Sequence, residues 1–242
     1  RRLLAEDAVV GLRIDHPDGL FNPPQYFTRL QMLFAAAKLY GPTPVGELAE
    51  NGIEMNVQTA FAQRAVQPGQ EPFYVVVEKI LEKGEALPRE WPVSGTVGYE
   101  FTNAVNGIFI DARNQKSFTN LYHRLIGESL NIERLIYQAK KLVMLSALSS
   151  EVNVLSHMLD EISSTNRRAR DFTRKVLRDA IRETIACFPV YRTYVDERGN
   201  ISDRDREFIA QGIASAKRIN GSMPPQVFDF LHDILLLRED NG

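Results

Sequence analysis

Two apolar runs in this chain each end in a carboxylate, and a guanidinium precedes the first by two residues. The earlier run reads Ala8-Val-Val-Gly-Leu-Arg13-Ile-Asp15-His16-Pro17-Asp18-Gly19-Leu20, and the later reads Phe73-Tyr-Val-Val-Val-Glu78-Lys-Ile-Leu81. Aspartate, glutamate and arginine are the set that retaining glycosyl transfer requires: a carboxylate nucleophile, a carboxyl acid/base, and a cation that keeps the nucleophile ionised. The two carboxyl groups then stand roughly 5 to 5.5 Å apart across the scissile bond, and neighbouring strands about 4.8 Å apart can supply that gap. Strand-end carboxylates also cap turns, and spacing alone leaves both readings open. His16 is read in two ways as well, as a donor to a sugar hydroxyl or as a turn cap, while Asp18 reads as the organiser of the Pro-Asp-Gly turn.

The elements that must position these groups are legible around them. Val9, Val10, Leu12 and Ile14 describe a buried parallel strand that delivers Asp15 to its C-terminal edge, where barrel enzymes keep their chemistry. Asn22 followed by Pro23 is a helix start, and Phe27, Leu30, Leu33, Phe34 and Ala37 continue at helical spacing to about residue 40. Residues 41–72 are rich in glycine, proline and glutamine and read as an insertion, with a short helix at Val45 to Glu50. The β-branched run at 73–81 is a second strand of the same design. Strand, helix and strand predict a parallel βαβ unit with both carboxylates at one sheet edge. Gly84, Pro88, Pro92, Gly95, Gly98 and Gly107 make 84–107 read as a long loop that shapes a pocket.

Beyond Ser117 the apolar residues repeat at helical spacing: Leu135 to Val143, Leu155 to Ile162, Leu177 to Ile185, and Val227 to Leu235. Ser202 ahead of Asp203 and Asp205 is an N-cap with acidic first-turn residues. The expectation is a segment over 1–116 holding two parallel strands, then a helical subdomain of five or so helices over 117–242.

With 242 residues, 44% of them hydrophobic and 25% charged, the chain can bury a large core. Its 29 Lys and Arg against 31 Asp and Glu leave a net charge of -2, which gives no electrostatic case for nucleic acid or membrane as a partner. The basic stretch from Arg167 to Arg182 is interrupted by Asp171 and Asp179, which flank Lys175 at i,i+4 spacing as on a solvated helix face. Cys187 is the single cysteine and sits in an apolar helical stretch, a packing position. His123, His157 and His232 lack metal-ligand spacing. No run reaches the length of a membrane span and no signal peptide is legible, so the expected location is cytoplasmic. Asn220-Gly-Ser fits the glycosylation pattern without a secretion signal beside it. Phe188-Pro-Val-Tyr191-Arg192-Thr-Tyr-Val195 combines flat apolar faces with donors, as sugar sites do, and reads equally as a packed link between helices. Trp91 carries the same pair of readings.

The residues around Asp15 and Glu78 resemble two catalytic strand motifs of the α-amylase superfamily and, more narrowly, of its maltooligosyltrehalose synthase family. The narrower resemblance also rests on Leu87-Pro-Arg-Glu-Trp-Pro-Val-Ser-Gly-Thr-Val-Gly-Tyr-Glu-Phe101, on Asn103-Ala-Val-Asn-Gly107 and on 188–195. It implies an α-rich α/β chain forming part of a (β/α)8 barrel followed by a mostly helical subdomain. It implies an intramolecular transglycosylase that turns the reducing-end α-1,4 bond of a maltooligosaccharide, or linear α-1,4-glucan, into an α,α-1,1 bond. Asp15 would be the nucleophile and Glu78 the acid/base. Arg13 would keep Asp15 ionised, and His16, Trp91, Tyr99, Tyr191 and Arg192 would bind substrate. No metal or organic cofactor is implied. Asp18 and Gly19 stand where the wider superfamily carries lysine and histidine, and Val97 stands where the narrower pattern has threonine. The third catalytic aspartate and the first barrel strands have no counterpart, so the chain is expected to be an internal segment that is inactive alone. A hydrolytic α-amylase-like enzyme and a non-catalytic helical module are the alternative readings.

Overall fold

In the computed structural model, which describes residues 2–41 and 73–238, a short helix α1 (Arg2–Ala5) leads into strand β1 (Gly11–Ile14). A 3-10 turn (Pro17–Gly19) follows, and then helix α2 (Pro23–Tyr40). Asn22 starts α2 as its position predicts, its side-chain oxygen accepting the Gln25 N–H at 3.1 Å. Strand β2 (Tyr74–Val77) runs parallel to β1 with Gly11 opposite Tyr74 and Ile14 opposite Val77. Gly11 is required there, since a Cβ would come within 2.9 Å of the Tyr74 ring. A two-residue strand β3 (Gly95–Thr96) pairs with the far side of β2, giving the parallel order β1-β2-β3.

Packing of α2 on this sheet follows from its apolar stripe. Phe27 is fully buried against Trp91, with ring centroids 5.1 Å apart, and Phe34 stacks on Phe73 at 4.6 Å. Fully burying a side chain of this size is worth about 1.5–3 kcal/mol. Buried Gln31 adds register: its amide donates to Phe73 O and Pro92 O, and its carbonyl accepts the Phe73 N–H at 3.0 Å. These bonds hold α2 to the start of β2, where an unpaired amide would be costly.

Two sequence expectations are corrected here. Both strands are shorter than their apolar runs, because pairing ends where Asp15 and Glu78 begin. The stretch 84–107 is not one long loop: it contains β3 and helix α3 (Tyr99–Gly107). Gly98, at φ 100°, caps α3 in a left-handed conformation, so the glycines that suggested a loop mark a helix start instead. The insertion at 41–72 and the short helix at Val45 to Glu50 lie outside the described residues, apart from Gly41.

The chain divides into two compact units, 1–111 and 112–242. The second contains six described α-helices, against an expectation of five or so: α4 (Gln115–Ile126), α5 (Ile132–Ser146), α6 (Ser149–Thr165), α7 (Arg174–Cys187), α8 (Asp203–Ile219) and α9 (Pro225–Leu235). Side chains of Asn131, Thr173 and Ser202 cap α5, α7 and α8. Leu177, Ile209, Ile213, Val227 and Phe228 form the centre of its core. Phe188 packs on α8 at Gly212, where a Cβ would meet its ring at 2.8 Å. Helix α4 buries none of its residues, and Phe118, Leu121 and Leu125 are exposed along it. No single described helix is long and apolar enough to cross a membrane.

Candidate active site

Because Ile14 pairs with Val77 in parallel register, the next residues, Asp15 and Glu78, leave the sheet at one level of its C-terminal edge. The Glu78 N–H still donates to Ile14 O at 2.8 Å, which keeps the two strand ends together past the last pair. The Arg13 side chain reaches the same edge and binds both carboxylates through one nitrogen, Nη2, 2.6 Å from Glu78 Oε2 and 3.4 Å from Asp15 Oδ1. Those two oxygens therefore lie no more than about 6 Å apart, a bound that admits the roughly 5 to 5.5 Å used in retaining glycosyl transfer. Side-chain exposure differs across the set, 73% at Asp15, 53% at Arg13 and 27% at Glu78. Glu78 is thus the more enclosed carboxyl, and it takes the shorter contact to Arg13, where the resemblance had directed Arg13 to Asp15.

Tyr99 joins the cluster from α3, its hydroxyl donating to Glu78 Oε1 at 3.2 Å. The left-handed turn at Gly98 starts the helix at the point that lets this hydroxyl arrive. Gly98 N–H donates to Thr96 Oγ1, whose hydroxyl in turn donates to Glu100 Oε2 at 2.5 Å. His16 adopts φ 42°, ψ 61°, a left-handed conformation costing a residue with a Cβ about 1–2 kcal/mol. That twist swings the chain out of β1 into the 3-10 turn and brings the imidazole over Gly19, where a Cβ would lie 2.7 Å from His16 Cδ2.

Gly19→Ala is accordingly expected to push the imidazole off its place. If His16 binds sugar, KM of the full-length protein carrying this chain should rise about tenfold, the worth of roughly one hydrogen bond. Its melting temperature should hardly change. Steady-state kinetics beside a thermal melt check both.

The other expected binding residues fall elsewhere. Trp91 is 2% exposed and packs on Phe27, so it supports α2 and presents no open face. Tyr191 and Arg192 belong to the second unit, in the link after α7. Tyr191 is exposed, and the Arg192 guanidinium lies over the Tyr194 ring at 5.1 Å. With Lys140 and Thr184 they line an apolar cavity of about 890 Å3 walled mainly by α5, α6 and α7. Cys187 packs beside the core, and burial together with the nearby Glu183 charge pushes its thiol up, away from reactivity. Among the described residues no cluster of three or more His, Cys, Asp or Glu could hold a metal ion.

Sequence reasoning missed a buried ion cluster that begins one residue after Glu78. Lys79 is fully buried, with Nζ 3.1 Å from Asp18 Oδ2 and 3.0 Å from Glu85 Oε1. A lysine inside the apolar run 73–81 was the available signal.

No family model matches the chain. A maltooligosyl trehalose synthase named in Mycobacterium tuberculosis is 28% identical over 120 residues, half of this chain and 11% of that protein. The chain thus spans about a tenth of the length of the curated relatives it matches. Among solved structures, maltooligosyltrehalose synthase from Arthrobacter ramosus superimposes with a TM-score of 0.66 at 22% identity, over 98% of this chain and 25% of that one. A glycosyltrehalose synthase gives a TM-score of 0.53 at 26% identity, over 97% of this chain and 24% of that one.

The fold is therefore one also found within the maltooligosyltrehalose synthase of Arthrobacter ramosus, here a helix-rich chain with a small parallel sheet. Both the sequence relatives and these solved structures are maltooligosyltrehalose or glycosyltrehalose synthases, and it is these that the chain resembles.

Proposed function

We propose that this chain carries the nucleophile and the acid/base of a maltooligosyltrehalose synthase, on two adjacent strands of a (β/α)8 barrel completed by the rest of a longer protein. The observation that carries this reading is the pair Asp15 and Glu78, at one level of a parallel sheet edge and joined by Arg13. Glu78, the more enclosed carboxyl, protonates the glycosidic oxygen as Asp15 attacks the anomeric carbon. The C1–O bond breaks, a glucosyl ester forms on Asp15, and the reducing-end glucose leaves with its new hydroxyl. Arg13 moves its main contact to Asp15 as the leaving oxygen takes its place at Glu78, so that Asp15 attacks as a carboxylate. The freed glucose turns within the site, Glu78 takes the proton from its anomeric hydroxyl, and that oxygen displaces Asp15. Two inversions give net retention and an α,α-1,1 bond.

Water at about 55 M competes with the glucose, so transfer requires the leaving sugar to be held at high effective concentration. Tyr99, hydrogen-bonded to Glu78, and His16, next to Asp15 in the chain, hold its hydroxyls in this reading. The resemblance also implies Tyr191, Arg192 and Trp91 as substrate residues; of these Trp91, buried against Phe27, acts through packing. The proposed substrate is a maltooligosaccharide or linear α-1,4-glucan.

Incubating the full-length protein that carries this chain with maltopentaose and following reducing ends tests the proposal. Isomerisation removes reducing ends with little free glucose, whereas hydrolysis of the α-amylase kind creates them. A rise in reducing ends overturns the transfer reading in favour of hydrolysis, and no change overturns both.

A further inference from the structure

Glu78 and Lys79 are the first two residues past β2, and their side chains go to different partners. Glu78 meets Arg13 at the open edge, while Lys79 turns inward to Asp18 and Glu85, whose carboxyl groups are themselves nearly excluded from water. An ammonium buried to this extent loses several kcal/mol of hydration, and an apolar residue of equal size often serves stability as well or better. The cluster's reach is what distinguishes it. Asp18 lies in the 3-10 turn three residues after Asp15. Glu85 belongs to the turn after β2, where its N–H donates to Glu82 O and its Oε2 accepts the Glu82 N–H at 3.0 Å. One ammonium therefore ties the segment leaving β1 to the segment leaving β2. Arg13 also touches both carboxylates, but it is half exposed, and a long hydrated side chain holds geometry poorly.

We propose that Lys79 is a positioning residue, and that its bond to Asp18 sets the spacing and orientation of Asp15 relative to Glu78. The assignment rests on the catalytic reading above. A displacement of about 1 Å at such a pair costs on the order of a hundredfold in rate, whereas binding of the distal glucose units need not change. Asp18→Ala is the informative variant, because it releases the Asp15 side of the clamp and leaves Lys79 and Glu85 as a charge-balanced pair.

In the full-length protein that carries this chain, Asp18→Ala is expected to lower kcat for maltopentaose isomerisation about 30-fold or more, with KM within about twofold. The share of turnovers ending in free glucose should rise. Asp18→Asn, which keeps an oxygen for Lys79 to bond, should recover most of kcat. Thermal melts and active-fraction measurements accompany each variant. Wild-type kcat in Asp18→Ala overturns the proposal, as does a loss of activity that only follows the loss of folded protein. If Asp18→Ala prevents folding, the decision passes to Asp18→Asn combined with Lys79→Met and Glu85→Gln, which removes the charges and keeps the volumes. A folded triple variant with wild-type kcat overturns the proposal, and one with lowered kcat at unchanged KM supports it. An Asp15→Asn control that keeps full activity counts against the catalytic reading, whatever Asp18→Ala does.

Discussion

Asp15→Asn in the full-length protein that carries this chain is expected to abolish isomerisation, with a fall in kcat on the order of 10⁴ or more. Losses of that size accompany removal of one member of a catalytic unit. The amide matches the carboxylate in shape and cannot form the glycosyl ester, so the first displacement has no nucleophile. Because Asp15 is mostly exposed and its ion contact to Arg13 is a long 3.4 Å, the change should leave the melting temperature almost untouched. Arg13 keeps its 2.6 Å contact with Glu78. KM should change little, since most substrate contacts are to other glucose units. Adding azide offers a further check on Glu78. In Glu78→Ala the small anion can occupy the vacated space and capture a glucosyl group on Asp15, giving an α-linked azide after the second inversion. Neither activity loss in Asp15→Asn nor azide capture in Glu78→Ala is expected if the two carboxylates merely cap turns.

The site was more legible than the loop that completes it. Asp15 and Glu78 stood out because a carboxylate is rare at the end of a β-branched run, and parallel pairing turned that sequence signal into one sheet edge. The start of α2 was legible at Asn22 and Pro23, and that of α8 at Ser202, because capping is local chemistry. Tyr99 reached the site through a helix hidden among glycines, since Gly98 in a left-handed cap and Gly95 at the start of β3 carry the same letter as a flexible loop. Lys79 was hidden for the opposite reason. Its burial depends on Asp18, 61 residues earlier in the chain, and no local pattern reveals so distant a partner. Trp91 had two readings, and the choice between them depends on Phe27, equally remote in sequence.

Glu183→Ala should destabilise the helical unit by about 3 kcal/mol, the lower end for breaking a buried ion pair. Glu183 on α7 is nearly buried and accepts hydrogen bonds from Tyr137 and Lys141 on α5 and from Asn220 after α8. The Lys141 contact is 2.5 Å and the Asn220 contact 2.8 Å, so one carboxylate ties together three segments of the unit. Lys141 remains about one-third exposed, and its retained hydration is why the lower figure applies. Burial alone would raise the Glu183 carboxyl, but the bonds from Lys141, Tyr137 and Asn220 outweigh it and hold the group below its ordinary value of 4.5. Burial would likewise lower Lys141, yet its bonds to Glu183 and Tyr137 raise it above 10.5, while burial and the bond to Glu183 raise the Tyr137 phenol above 10.0. A depressed carboxyl gives stability that is present above its unfolded value and disappears as pH falls through its folded one. Raised lysine and phenol groups give stability that is present below their unfolded values and disappears as pH rises through the folded ones. Wild-type stability from this cluster should therefore be level from about pH 5 to 10 and decline on either side. Denaturant melts of wild type and Glu183→Gln across that range check the sign. The variant should be less stable at pH 7, and the gap should narrow below pH 4.5 as the wild-type carboxylate takes up its proton. A gap that widened in acid would mean that Glu183 folds as a neutral acid, with Lys141 paired elsewhere.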